Sequence, residues 1–135
     1  MLDDVSLGVG DIERSRRFYD AALRPLGLVR VDLDHGSVSG YSAAPGAHAN
    51  ELTITSDLEL ASLVPAADLS FRARNPAAVD AFHVAALAVG GRDGAPPALR
   101  PHYHPSYYSA VVVDPDGHRI EVACMALRSS PIFVA

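Results

Sequence analysis

Four carboxylates sit at matching places in this 135-residue chain: Asp4, Glu51, Asp68 and Glu121. If they converge, they cannot all stay ionised unaided. Two unit charges about 4 Å apart repel by roughly 4 kcal/mol at an effective dielectric near 20. Three outcomes follow: a hard divalent cation binds, some carboxyls hold protons, or the side chains stand further apart. An all-oxygen set suits Mg²⁺, Mn²⁺ or Ca²⁺ better than zinc. Asp4, Asp68, Glu121 and Glu51 are therefore candidate metal ligands, and no other cofactor is signalled. The plainer alternative is that acids near strand ends are solvated or cap a turn.

The elements that must place these acids are legible from periodicity. Val111 to Cys124 reads as a hairpin: a β-branched run, an Asp114-Pro115-Asp116-Gly117 turn, then a strand with Ile120, Val122 and Cys124 on one face and Glu121 on the other. Asp4 to Gly10 alternates like a strand, and Asp11 is a good N-cap for a helix from Ile12 to about Leu23, stopped by Pro25 and Gly27. Moving on by 64 residues, the pattern returns. Asp68-Leu69-Ser70-Phe71 matches Asp4-Val5-Ser6-Leu7, Asn75-Pro76 matches Asp11-Ile12, Phe82 matches Phe18, and Gly91 matches Gly27. After each helix come short strands, near Leu28–Asp34, Gly36–Ser42 and Glu51–Thr55 in the first half. The expected architecture is α+β: two tandem βαβββ modules, 1–55 and 67–128, joined by a linker at 56–66. Their mixed sheets are expected to form one cupped, barrel-like cavity, the default ligand site.

Apolar parity assigns the helix-covered face of each strand, so the other parity faces the cup. That places Asp4 and Ser6 there from the first strand, and Asp68, Ser70 and Arg72 from its repeat. With Tyr108 they form the candidate ligand-binding set. Asp93–Ser106 carries four prolines with Arg100, His102, Tyr103 and His104, and reads as an insertion beside the cup. There His104 would be an acid–base group and Tyr103 a hydrogen-bond donor, with Glu121 as the third catalytic candidate. A proline-stiffened surface loop is the alternative, favoured for His102. His83, at the position of Tyr19 in the repeat, reads as a helix-surface residue. Gly8 and Gly10 lack the strand–turn–helix context and lysine of a phosphate loop.

Asp11-Ile12-Glu13-Arg14-Ser15-Arg16-Arg17-Phe18-Tyr19, then Leu26-Gly27-Leu28, resembles the first helix of the vicinal oxygen chelate superfamily, which includes glyoxalase I, bleomycin-resistance proteins and extradiol dioxygenases. Asp114-Pro115-Asp116-Gly117-His118-Arg119-Ile120-Glu121 is similar to its terminal hairpin. The resemblance implies paired βαβββ modules, a homodimer, and a metal or ligand in the cup. It also implies that Asp4 and Asp68 stand where metal-binding members carry His or Glu and His, with Glu121 at the acidic position. The two-histidine-one-carboxylate set suited to Fe(II) and dioxygen therefore lacks both imidazoles. Three functions remain open. One is a metal-free binder of a small organic molecule. Another is a lyase or isomerase of glyoxalase type on a carboxylate-held divalent ion, with Glu51 or His104 moving a proton. The third is a metal-independent acid–base enzyme. Dioxygenase chemistry fits least.

Composition narrows the partners. A net charge of −5 without a basic cluster argues against nucleic acid and anionic membranes. No apolar run approaches membrane-span length, and Met-Leu-Asp-Asp does not resemble a signal peptide, so the expected location is the cytoplasm. The single cysteine, Cys124, excludes an internal disulfide and reads as a small core residue.

Overall fold

The computed structural model describes residues 5–32, 36–43, 52–57 and 68–125. Asp4, Glu51, His35, His48 and most of the expected linker lie outside them.

Each module begins with a strand and a capped helix. Strand β1 (Val5–Gly8) leads into α1 (Ile12–Leu23), and β5 (Asp68–Arg72) into α2 (Pro76–Ala88). Both caps work as the sequence requires. The Asp11 carboxylate accepts the Arg14 N–H at 3.1 Å, and the Asn75 side chain accepts the Ala78 N–H at 2.9 Å. Pro76 sits in the first helical turn, where its missing N–H costs nothing. After α1, a 3-10 turn (Arg24–Leu26) closes on Gly27 in the left-handed region. After α2 that conformation falls on Gly90, not on Gly91, so the two halves part company by one residue where their helices end. Gly91 has a different duty: a Cβ there would come within 2.7 Å of Val112 Cγ1 and 2.8 Å of Phe18 Cε1.

The remaining strands are β2 (Val29–Asp32), β3 (Val38–Ser42) and β4 (Leu52–Thr55), then β6 (Arg92–Leu99), β7 (Tyr107–Val113) and β8 (Arg119–Met125). They form two four-stranded mixed sheets of equivalent order, β1-β4-β3-β2 and β5-β8-β7-β6. In each, the first and last strands of the module pair in parallel, as β1 with β4 and β5 with β8. The βαβββ expectation is met twice. The barrel is not: the sheets stay separate instead of closing into one. The proline-rich stretch also differs from expectation, because its first half is strand β6. Pro96 and Pro97 fit there because β6 is outermost in its sheet and its register with β7 slips between Asp93 and Ala95 and again between Ala95 and Ala98.

What joins the modules is a common core and a polar clasp. Phe18, Tyr19 and Ala22 of α1, Val79, Phe82 and Ala86 of α2, and Val112, Ile120 and Val122 of the hairpin are all fully buried in one cluster. The hairpin turn then reaches across to the first module. Asp116 accepts hydrogen bonds from the Gly10 N–H at 2.9 Å, Arg14 Nη2 at 3.0 Å and Ser15 Oγ at 3.2 Å. Asp114 accepts the buried Tyr19 hydroxyl, and the His118 ring Nε2 lies 2.9 Å from the Gly8 carbonyl. Asp114 Oδ1 also takes the N–H groups of Asp116 and His118, which fixes the turn that carries the clasp. Burial, reinforced by the Asp114 carboxylate, raises the Tyr19 pKa well above its ordinary value, so the phenol keeps its proton and donates.

Candidate functional site

The uncovered face of the second sheet carries the polar residues that parity assigns to it. In register, Asp68 stands beside Arg119, Ser70 beside Glu121 and Arg72 beside Ala123. On the other side of β8, Val111 is opposite Glu121, Ser109 opposite Ala123 and Tyr107 opposite Met125. Alternation sends all of these side chains to one face, while Ile120, Val122, Ala110 and Val112 go to the helix side and are buried.

Two grooves run over this face. One, of about 490 Å³, is lined by Asp68, Ser70, Glu121 and Arg119 together with Arg100, His102 and Tyr103 of the β6–β7 tip. The other, of about 610 Å³, is lined by Arg72, Arg74, Tyr107, Ala123 and Met125. Ser70 borders both. Every residue lining these two grooves comes from the second module. Ser6 is exposed on the first sheet and borders neither groove.

Glu121 is the half-buried acid at the centre. The Tyr107 hydroxyl donates to its Oε2 at 3.1 Å. The two residues are separated along the sheet by Ser109 and Ala123, whose small side chains leave room for the tyrosine ring to lean across. Partial burial, aided by the bond to Glu121, raises the Tyr107 pKa, which keeps the phenol a donor at neutral pH. Aromatic rings extend from it: Tyr103 is 5.1 Å from Tyr107, and His102 is 4.3 Å from Tyr103, centroid to centroid. Arg100 buttresses this wall through hydrogen bonds to the Ser109 and Pro96 carbonyls.

Several sequence-derived placements change. Tyr108 faces the opposite way, and its hydroxyl donates to Asp80 of α2 at 2.6 Å. Tyr107, one residue earlier, is the tyrosine on the groove face. Counting back by twos from buried Val112 and Ala110 to Tyr108 would have shown this. His104 is exposed and bonds within its own loop, with Nδ1 accepting the Ser106 N–H at 3.0 Å, and His102 lines the groove in its place. Tyr103 does line the groove. His83 is not a free surface group: its side chain is 12% exposed and its Nε2 is 3.0 Å from Asp93 Oδ1.

The described residues do not fit a metal centre of the kind the fold suggests. Asp68 has 83% of its side chain exposed and pairs with Arg119 at 3.5 Å. The Oε2 of Glu121 is taken by Tyr107. Among the described residues no group of three or more His, Cys, Asp or Glu side chains could hold an ion. What the face offers is a carboxylate with a phenol beside it, an aromatic wall and several guanidinium groups. That is equipment for holding a polar organic molecule and, at Glu121, for accepting a proton from it.

Comparison with known proteins agrees with the fold. The chain is similar to a glyoxalase/bleomycin resistance protein from Albidiferax ferrireducens T118 at 32% identity, over 92% of this chain and 98% of that one, with TM-score 0.74. A glyoxalase-related enzyme from Fulvimarina pelagi (23% identity, 92% and 87% covered, TM-score 0.70) and a glyoxalase/bleomycin resistance protein/dioxygenase family enzyme from Burkholderia phytofirmans PsJN (18%, 92% and 99%, 0.66) share the fold. No curated protein matches. The family model for the Glyoxalase/Bleomycin resistance protein/Dioxygenase superfamily matches residues 1–122, and this chain belongs to that superfamily.

Proposed function

We propose that this protein binds a small organic molecule on the open face of its second sheet, around Glu121, without the histidine-based metal site of metal-binding relatives. The observation that carries this reading is the Glu121–Tyr107 pair, a half-buried acid and a donor set into the floor of the grooves. Pairing of Asp68 with Arg119 supports it, because a carboxylate engaged with a guanidinium is a poorer metal ligand. The homodimer expected from the sequence belongs to the same proposal, since an open face lined by one module has room for a second chain above it.

The test is a thermal-shift titration of chelator-treated protein with Mg²⁺, Mn²⁺, Zn²⁺ and anaerobic Fe²⁺, followed by a small-molecule screen. A metal bound only by the folded state adds about 2.7 kcal/mol at a hundred times its Kd. The reading expects no such shift, and expects organic hits whose affinity falls in Glu121→Gln and Tyr107→Phe. A metal-dependent shift abolished by Asp68→Asn and Glu121→Gln would overturn it in favour of the carboxylate-held lyase or isomerase. Light scattering measures the dimer.

A further inference from the structure

The second sheet's face is cationic on an acidic protein. Its two grooves are bordered by four guanidinium groups, Arg72, Arg74, Arg100 and Arg119, against two carboxylates, Asp68 and Glu121. The chain as a whole carries −5. Arg119 is spent on Asp68, and Arg100 on backbone and Ser109 oxygens. The side chains of Arg72 and Arg74 make no ion pair or hydrogen bond among the described residues, and both border the larger of the two grooves. Two unengaged guanidinium groups thus border the same groove as Ser70 and Tyr107, and guanidinium donors suit a planar oxyanion.

We propose that the ligand of this face is a small organic acid whose anionic head is held by Arg72 and Arg74. The proposal rests on the ligand-binding reading above and adds the chemical class. Geometry sets the rest of the molecule. Arg72 lies two residues beyond Ser70 along β5, and Ser70 is the register partner of Glu121, so the backbone positions that carry the arginine and the acid are offset by about 7 Å along the strand. Between them the floor is Ala123, with Met125 at its edge. The ligand that fits has a carboxylate or similar oxyanion at one end, an apolar body about one ring long, and a hydrogen-bond donor at the other end for Glu121. The local positive field also speeds the arrival of such anions, an effect that salt weakens.

The test uses matched acid and amide probes: 4-hydroxybenzoate with 4-hydroxybenzamide, and phenylacetate with phenylacetamide. Their affinities are measured by protein-observed NMR titration on wild type, Arg72→Gln/Arg74→Gln and Glu121→Gln. The expected result is that each acid binds wild type about tenfold or more tightly than its amide. The double arginine variant loses that preference while keeping its amide affinity and its melting temperature. Glu121→Gln weakens the hydroxylated pair more than the phenylacetyl pair. Equal binding of acid and amide to the groove would overturn the anion assignment and leave the ligand-binding reading standing. Absence of binding by all four probes would overturn the assignment, while hits from the neutral part of the small-molecule screen would separately sustain the broader reading.

Discussion

Replacing Asp116 by Ala should destabilise the protein through a loss between modules, not within one. The carboxylate is 15% exposed and accepts from three groups of the first module. They are not equal. The Gly10 N–H lies in an exposed contact, so water replaces much of its bond, and roughly 1 kcal/mol is lost. Arg14 is 41% exposed, and the ion pair is worth about 0–1 kcal/mol after screening. The Ser15 hydroxyl is fully buried, and stranding it costs about 1 kcal/mol more. The three share one carboxylate and do not add strictly, so the expected total is about 2–3 kcal/mol. For a chain of 135 residues that is a fall in Tm of about 7–10 °C. Arg14→Ala is the control. It removes the screened pair together with a buried Nε that has no hydrogen-bond partner among the described residues, so its Tm should move by no more than about 2 °C. Differential scanning calorimetry of the two variants decides. A melting temperature for Asp116→Ala within 2 °C of wild type, or equal losses in both variants, would refute the clasp.

Three further outcomes are expected. Gly91→Ala should lose about 1–3 kcal/mol in urea unfolding, because the new methyl group would meet Val112, Phe18 and the Ala86 carbonyl at 2.7–2.8 Å. Gly27→Ala, with φ of 82° and nothing within 4 Å, should cost about 1 kcal/mol through backbone conformation alone. Equal and negligible effects at both sites would contradict the assigned roles. Alkaline stability should also respond to Tyr108, whose bond to Asp80, with partial burial, pushes its pKa up to about 12. The folded value lies above the unfolded one near 10, so the contribution is complete below pH ~10 and is lost as pH rises through about 12. Urea melts from pH 8 to 11.5 should show stability falling over the upper part of the range, with a shallower fall in Tyr108→Phe; identical slopes would count against the shift.

Much of the framework was readable because it is local. Asp11 and Asn75 announce helix starts by chemistry that acts over three residues, and the alternation around Ile120 and Val122 sends Glu121 to the open face without any knowledge of the rest. The same rule placed Ser70 and Arg72. At Tyr107 and Tyr108 the rule was not carried far enough: counted back by twos from Val112 and Ala110, it sends Tyr108 to the helix side and Tyr107 to the groove. Pro96 and Pro97 hid β6 for another reason: a proline argues against a central strand, and only the sheet order shows that this one is outermost. Asp114 and Asp116 were legible as turn formers, yet their carboxylates act on residues 95 and 102 positions away, which no periodicity reports. Of the four acids expected to share a site, only Asp68 and Glu121 lie among the described residues. Asp68 and Glu121 do share a face, but the register gives Asp68 to Arg119, a partner two residues from the acid it was expected to join.

The outer position of β6 has a consequence for how copies of this chain can meet. An outermost strand normally offers a row of free backbone donors and acceptors to any other strand that drifts alongside, the usual route to sheet extension and fibre growth. Here two consecutive residues, Pro96 and Pro97, have no N–H to offer, and the register slips once before them and once across them. That rim is a poor template for strand addition. Growth of the second sheet in that direction is disfavoured by covalent structure, which leaves the faces of the sheets as the better surfaces for any contact between copies.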